Sequence, residues 1–249
     1  MTWLLDLDGV LWLSGKPLPG SAGAVERLRS RGQHVVFFTN NSGPTIADHV
    51  NALAKGGVVA APEEILSSAQ AAAALVEEGS TAAFLGGPGI PEALAARGVE
   101  VVAATDRPQA VVVGRTTELS YEQLAAFAAA IRTGARFIAT NTDATMPTPN
   151  GPEPGAGAIV AFLRVASGTE PVVAGKPSEQ AAALVAERVG PVEVSVGDRP
   201  ETDGIFAQLT SSVFALVLSG VTRSEDLPVE PRPDVVGEDL AAIVDAILH

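Results

Sequence analysis

The sequence predicts an α/β protein built on a mostly parallel sheet. Short apolar stretches alternate with alanine-rich helical stretches along almost the whole chain, the pattern of parallel strands flanked by helices. The 249 residues are 47% apolar with a mean hydropathy of +0.27, ample for a sizeable core in one or two domains. Polar clusters directly follow several of the apolar stretches, at the strand ends where α/β folds hold ligands.

In chain order, strands are expected near Thr2 to Leu7, His34 to Thr39, Thr81 to Leu85, Ala110 to Gly114, Arg136 to Thr140, Pro171 to Ala174, Val192 to Val196 and Val213 to Leu218. Helices fill the gaps. Gly32 stops the helix ahead of the second strand, and Pro44 stands where a helix over Thr45 to Lys55 begins. Ser120 with Gln123 fits a capping box opening a helix to Arg132, and Gly134 supplies its stop. Alanine runs at 71–74 and 181–183 read as helix with small packing residues. The glycine-rich "LGGPGIPEAL" reads as a strand-to-helix turn, and "PTPNGPEPGAG", 147–157, as a loop ahead of a helix.

Composition narrows the chemistry. With no cysteine there is no disulfide, no thiolate nucleophile and no cysteine-held metal. The histidines, His34, His49 and His249, are scattered, so a metal would be held by carboxylate oxygen, and Mg²⁺ is the natural ion. A net charge of −13 and a pI near 4.6 repel nucleic acids and anionic membranes. A small anionic substrate would therefore need local positive charge. No basic segment precedes the first apolar residues, and no apolar run approaches the roughly 18 residues of a membrane span, so a cytoplasmic protein is expected.

Four motifs carry the chemistry. In "TWLLDLDGVLW", Asp6 and Asp8 interrupt an apolar run, two residues apart and so on one side of an extended strand, with Gly9 to turn the chain. A buried carboxylate costs several kcal/mol unless a cation or several donors meet it. The second strand ends in Thr39, Asn40 and Asn41, uncharged hydrogen-bonding groups suited to phosphate oxygens. In "VVAGKPS", Lys176 puts a positive charge at another strand end. In "VEVSVGDRPETDG", Asp198 leaves a strand and Asp203 follows five residues on, carboxylates that would complete an oxygen shell for Mg²⁺. Dinucleotide, P-loop and G-x-S-x-G patterns are not met: "GAGAIV" and "GPGIPE" lack a third glycine, and Glu170 stands where a P-loop needs its first.

Together "DLDGVL", "FFTNN", "GKPS" and "GDRPETD", in that order, resemble the four motifs of the haloacid dehalogenase superfamily of phosphatases. The intervening "FIATNTDATMP" and "GAGAIVAFL" resemble its para-nitrophenyl phosphatase-like and NagD-like branch, which has a large α/β cap between the second and third motifs. The resemblance implies a Rossmann-like three-layer α/β/α core over 1–66 and 172–249 and an inserted cap over 67–171, with hinges near Ser67, Ser68 and Gly168. It makes Asp6 the nucleophile and Asp8 the acid and base. It has Mg²⁺ held by the Asp6 carboxylate, the Asp8 backbone carbonyl and Asp198, with Asp203 supporting them. Phosphoryl oxygens would meet Thr39, Asn40 and Lys176, while Asn41, Asn141 and Asp143 are candidates for a loop beside the substrate.

The function so implied is hydrolysis of small phosphomonoesters through an aspartyl phosphate. The partners expected are a small phosphorylated metabolite and, through the cap, a second copy of the chain. Two alternatives stand beside it: a phosphotransferase or phosphomutase with the same intermediate, and a regulatory protein that binds phosphometabolites without turnover. The chain departs from the family pattern in three places. Thr116 stands where an aspartate is common, Gly204 where a branched apolar residue follows "TD", and Thr210 with Ser211 replace alanine and glycine.

Overall fold

The structure is a computed structural model that describes residues 1–13, 15–148 and 151–248. The chain divides into two compact units. One comprises Met1–Thr39, Ile46–Leu66 and Ala182–His249, and the other Asn40–Thr45 and Ser67–Ala181.

The first unit is organised by the strand Thr2–Leu5. It lies inside a six-stranded sheet, with Val194–Gly197, Val213–Val217 and Val235–Gly237 on one side and His34–Thr39 and Ile65–Ser67 on the other. Its pairings with both neighbours are parallel. The chain thus leaves this strand toward one side and returns on the other, which makes its carboxyl end a topological switch point. Strand alternation splits the side chains between two layers. Trp3, Leu5, Val35, Phe37, Ala215 and Val217 pack with Leu28 of the helix Ser21–Ser30, Leu53 of Ile46–Lys55 and Ile243 of Leu240–Leu248. Phe214 and Leu216 face the opposite way, onto Ala207 of the helix Ile205–Thr210. On that helix Phe206 meets the ring edge of Phe38 at a centroid distance of 5.6 Å.

The second unit has its own five-stranded parallel sheet, in the order Val172–Val173, Arg136–Ala139, Ala110–Val113, Thr81–Leu85, Glu100–Val101. Leu85, Val111, Val113 and Phe137 bury one face under Phe127 and Ile131 of the helix Tyr121–Arg132 and Ile159 and Leu163 of Ala156–Ser167. The capping box is present: Ser120 Oγ accepts from Gln123 N at 3.1 Å and Ser120 N donates to Gln123 Oε1 at 3.0 Å. Glu122 in that first turn is held below the ordinary carboxylate pKa by its own backbone N–H and by the Ser120 hydroxyl. "LGGPGIPEAL" is a strand-to-helix turn between Thr81–Leu85 and Gly89–Ala96. Its glycines are there for space, since a Cβ on Gly89 would lie 2.2 Å from the Pro44 carbonyl oxygen.

Three expectations are corrected. The first strand ends at Leu5, although Asp6 N still donates to Val196 O at 2.9 Å. Beyond it the chain turns, with Leu7 O accepting from Leu11 N and Trp12 N, so strand alternation does not relate Asp6 to Asp8. The stretch expected as a loop instead folds as a hairpin, Thr145–Thr148 against Gly151–Pro154, while Pro149 and Asn150 lie outside the described residues. Prolines oppose each other in it, Pro147 with Pro152, and two residues without N–H groups can share a non-hydrogen-bonded pair. Arg115 holds the second arm, donating to Glu153 at 2.6 Å and to Pro154 O at 3.2 Å. Third, Val172–Val173 extends the second unit's sheet through Ile138 and Ala139, because a short apolar run does not itself name its partner strand. Gly168 lies within the same unit as the left-handed cap of Ala156–Ser167.

The departures from the family pattern at Gly204, Thr210 and Thr116 have local causes, and nothing in the structure explains Ser211. A Cβ on Gly204 would lie 2.7 Å from Pro231 Cγ and 2.8 Å from Phe214 Cε1, so neighbouring side chains occupy the space of a branched residue. Thr210 Oγ1 lies 3.0 Å from Ser212 Oγ, which is 2.7 Å from Ser195 Oγ, a hydroxyl chain that alanine could not continue. Ser211 adopts φ 55° at the helix end. Thr116 Oγ1 accepts from Glu118 N at 3.1 Å and shapes the turn after Arg115. Gly204→Val should lower unfolding stability by about 1–3 kcal/mol through overpacking against Phe214 and Pro231, read from the denaturant midpoint.

Candidate active site

Two adjacent parallel strands deliver the first two carboxylates. Asp6 follows Thr2–Leu5, and Asp198 follows Val194–Gly197, its hydrogen-bonded neighbour. Asp203 comes from a wide π-type turn, Pro200–Gly204, whose backbone bond from Asp203 N to Arg199 O measures 2.7 Å. Carboxylate oxygens of Asp6, Asp198 and Asp203 all lie within 4.8 Å of one another. Asp198 and Asp203 are buried, and Asp6 is half-buried.

The backbone is shaped around these groups. Val221 N donates to Asp198 Oδ2 at 2.6 Å and Arg199 N to Asp203 Oδ2 at 3.2 Å. Gly9 sits in the left-handed region at φ 82°, and a Cβ there would lie 2.3 Å from Asp198 Oδ2. A Cβ on Gly220 would lie 1.9 Å from the same oxygen. Ser219 Oγ donates to Gly9 O at 2.7 Å and ties the two glycine turns together. Three carboxylates held so close suit a hard divalent cation that accepts oxygen ligands, and Mg²⁺ fits the donor set.

Asp8 lies in the turn after Asp6, where Trp12 Nε1 donates to its Oδ1 at 3.0 Å. Thr39 is buried at the end of the next strand.

The second unit gathers the remaining candidates. Lys176 is buried, and Asn40 clamps its backbone: Lys176 N donates to Asn40 Oδ1 at 2.8 Å and Asn40 Nδ2 donates to Lys176 O at 3.0 Å. Asn40 Nδ2 also lies 3.5 Å from Asp143 Oδ2. The Asn40 carbonyl accepts from Ser68 Oγ at 2.6 Å and Asn141 Nδ2 at 2.7 Å, and Asp143 N donates to Asn141 Oδ1 at 3.1 Å. Asn41 Oδ1 accepts from Gly43 N at 3.1 Å. The carboxamide of Asn40 therefore organises the backbone of Lys176.

Comparison with known proteins follows the same lines. A family model described as haloacid dehalogenase-like hydrolase matches residues 3–100, and a second, HAD-hydrolase-like, matches 173–243. D-glycerol 3-phosphate phosphatase of Mycobacterium tuberculosis is 38% identical over 253 residues, covering 96% of this chain and 70% of that protein. The chain belongs to the haloacid dehalogenase-like hydrolases. p-Nitrophenyl phosphatase from Archaeoglobus fulgidus superposes with a TM-score of 0.92 at 30% identity, covering 99% of this chain and 98% of that one. A glycerol phosphate phosphatase from Mycobacterium tuberculosis, crystallised in complex with magnesium, superposes with a TM-score of 0.89 at 34% identity, covering 97% of this chain and 75% of that one. This haloacid dehalogenase-like hydrolase is a phosphatase.

Several residues around these groups carried no signal in the sequence. Trp12 reads there as one more apolar residue, and Ser68 as a hinge position rather than a donor to Asn40. The turn Ser219 to Val221 follows a strand with no charged group to mark it, yet it walls Asp198. Gly220→Ala should push Asp198 aside and weaken Mg²⁺ binding about 10–100-fold, measured by calorimetric titration.

Proposed function

We propose that this phosphatase hydrolyses phosphomonoesters of small polyols and sugars through an aspartyl phosphate on Asp6. The observation that carries the reading is the meeting of Asp6, Asp198 and Asp203 at the carboxyl end of the central strand. Beside it is a fourth carboxylate, Asp8, that is not part of that cluster. Such a division suits one carboxylate that attacks and another that moves a proton.

In this reading Asp6, the Asp8 carbonyl and Asp198, with Asp203 beside them, would hold Mg²⁺, which when bound would offset the negative charge of nucleophile and phosphate. An Asp6 carboxylate oxygen attacks phosphorus, the ester P–O bond breaks, and the departing oxygen takes the proton of Asp8. Water then attacks phosphorus and gives its proton to Asp8. The Asp6–phosphate bond breaks, inorganic phosphate leaves, and both aspartates return to their starting states. Thr39, the Asn40 backbone N–H and Lys176 bind the phosphoryl oxygens, with Asn41, Asn141 and Asp143 shaping the substrate loop.

The second unit serves as a cap that excludes water and selects the alcohol part of the substrate, moving about hinges at Ser67 and Ser68. A cytoplasmic location and pairing of two chains through the cap belong to the same proposal. The names of the relatives support glycerol phosphate and sugar phosphates as first substrates, with p-nitrophenyl phosphate as a chromogenic stand-in. Asp6→Asn should lower phosphate release from both glycerol phosphate and p-nitrophenyl phosphate at least about 1,000-fold with unchanged circular dichroism. Activity near wild type would remove Asp6 as the nucleophile. EDTA should abolish turnover and added Mg²⁺ restore it. Phosphate appearing on an added alcohol in preference to water would favour the transferase alternative.

A further inference from the structure

Trp12 is tied to Asp8 and to the turn that carries it. Its indole Nε1 donates to Asp8 Oδ1 at 3.0 Å. Its backbone closes the same turn, with Trp12 N donating to Leu7 O at 3.2 Å and Gly9 N donating to Trp12 O at 2.7 Å. The ring packs against the core of the first unit, and Trp12–Leu13 pairs antiparallel with Lys16–Pro17. This bond helps to hold the Asp8 carboxyl in the rotamer observed.

An indole N–H only donates, so Asp8 Oδ1 presents it a lone pair whether or not the carboxyl carries a proton. We propose that Trp12 is a positioning residue for proton transfer: it holds the Asp8 rotamer and leaves Oδ2 as the oxygen that carries the proton. Oδ2–H breaks as the ester oxygen gains that proton and the ester P–O bond cleaves. In the second half, the attacking water gives its proton back to Oδ2. This inference rests on the acid and base role proposed for Asp8.

Leaving-group dependence tests it, because p-nitrophenolate departs with little need of a proton and an alkoxide does not. kcat/KM, which reports the step up to loss of the alcohol, is measured on p-nitrophenyl phosphate and on glycerol phosphate for wild type, Trp12→Phe and Asp8→Asn. For Trp12→Phe it should fall about tenfold or more on glycerol phosphate and under about threefold on p-nitrophenyl phosphate. Asp8→Asn should show the same inequality, enlarged. If Asp8→Asn shows the inequality and Trp12→Phe shows equal losses or none, the role of Trp12 is overturned while the acid role of Asp8 stands. If Asp8→Asn loses activity equally on both esters, the acid role fails and the inference with it.

A second measurement does not depend on the folding of Trp12→Phe. The chain has two tryptophans, and the buried Nε1 of Trp3 has no hydrogen-bond partner among the described residues. In ¹H–¹⁵N spectra, Asp8→Ala should move one indole resonance upfield and leave the other in place. Two unmoved resonances would overturn the contact.

Discussion

The close approach of Asp6, Asp198 and Asp203 is the constraint on which the rest depends. Two unit charges about 4 Å apart repel by about 4 kcal/mol at an effective dielectric near 20, and here three carboxylates share the space. Neighbouring parallel strands set the separation, because Asp6 and Asp198 leave adjacent strands whose register is fixed by backbone bonds from Trp3 to Leu5. The interior beneath is apolar and closely packed, so the carboxylates cannot relax inward. Three carboxylates brought together at one strand end are arranged for a cation, and the glycines at 9, 197 and 220 leave room for the oxygens that would meet it.

Much of this was legible in the residue pattern, and the limits have physical causes. Strand and helix positions follow from the alternation of apolar and alanine-rich stretches, and the capping box at Ser120 was readable because its two bonds are local. The acidic motifs announce themselves because carboxylates in apolar runs are costly. Partner choice is another matter. Nothing in "PVVAG" distinguishes pairing with Arg136–Ala139 from pairing in the other sheet, since strand composition reports burial and not neighbours. The hairpin after Thr145 was hidden by its prolines, which suit a two-stranded ribbon only when they face each other between ladder bonds.

The candidate site shows the same division. Charged groups were identifiable one by one, whereas the neutral groups that orient them depend on contacts across long sequence separations. The Asn40 to Lys176 clamp spans 136 positions, and the bond from Val221 to Asp198 spans 23. Trp12 is four residues from Asp8, close enough for inspection, yet an indole beside a strand end reads first as packing. The departures at Gly204 and Thr210 reverse that lesson, because each looks anomalous in sequence and is explained by the side chains around it.

The clamp on Lys176 has a further consequence. Its two bonds run between a carboxamide and a peptide group, so neither involves a net charge. Exposed pairs such as Arg27 with Asp245 weaken as dissolved salt shortens the range of Coulomb attraction. Bonds between neutral dipoles are far less sensitive. The backbone carrying this lysine thus keeps its place at high ionic strength, and a salt dependence of anion binding by this strongly acidic chain would report the field felt by the incoming ligand rather than a loosening of Lys176.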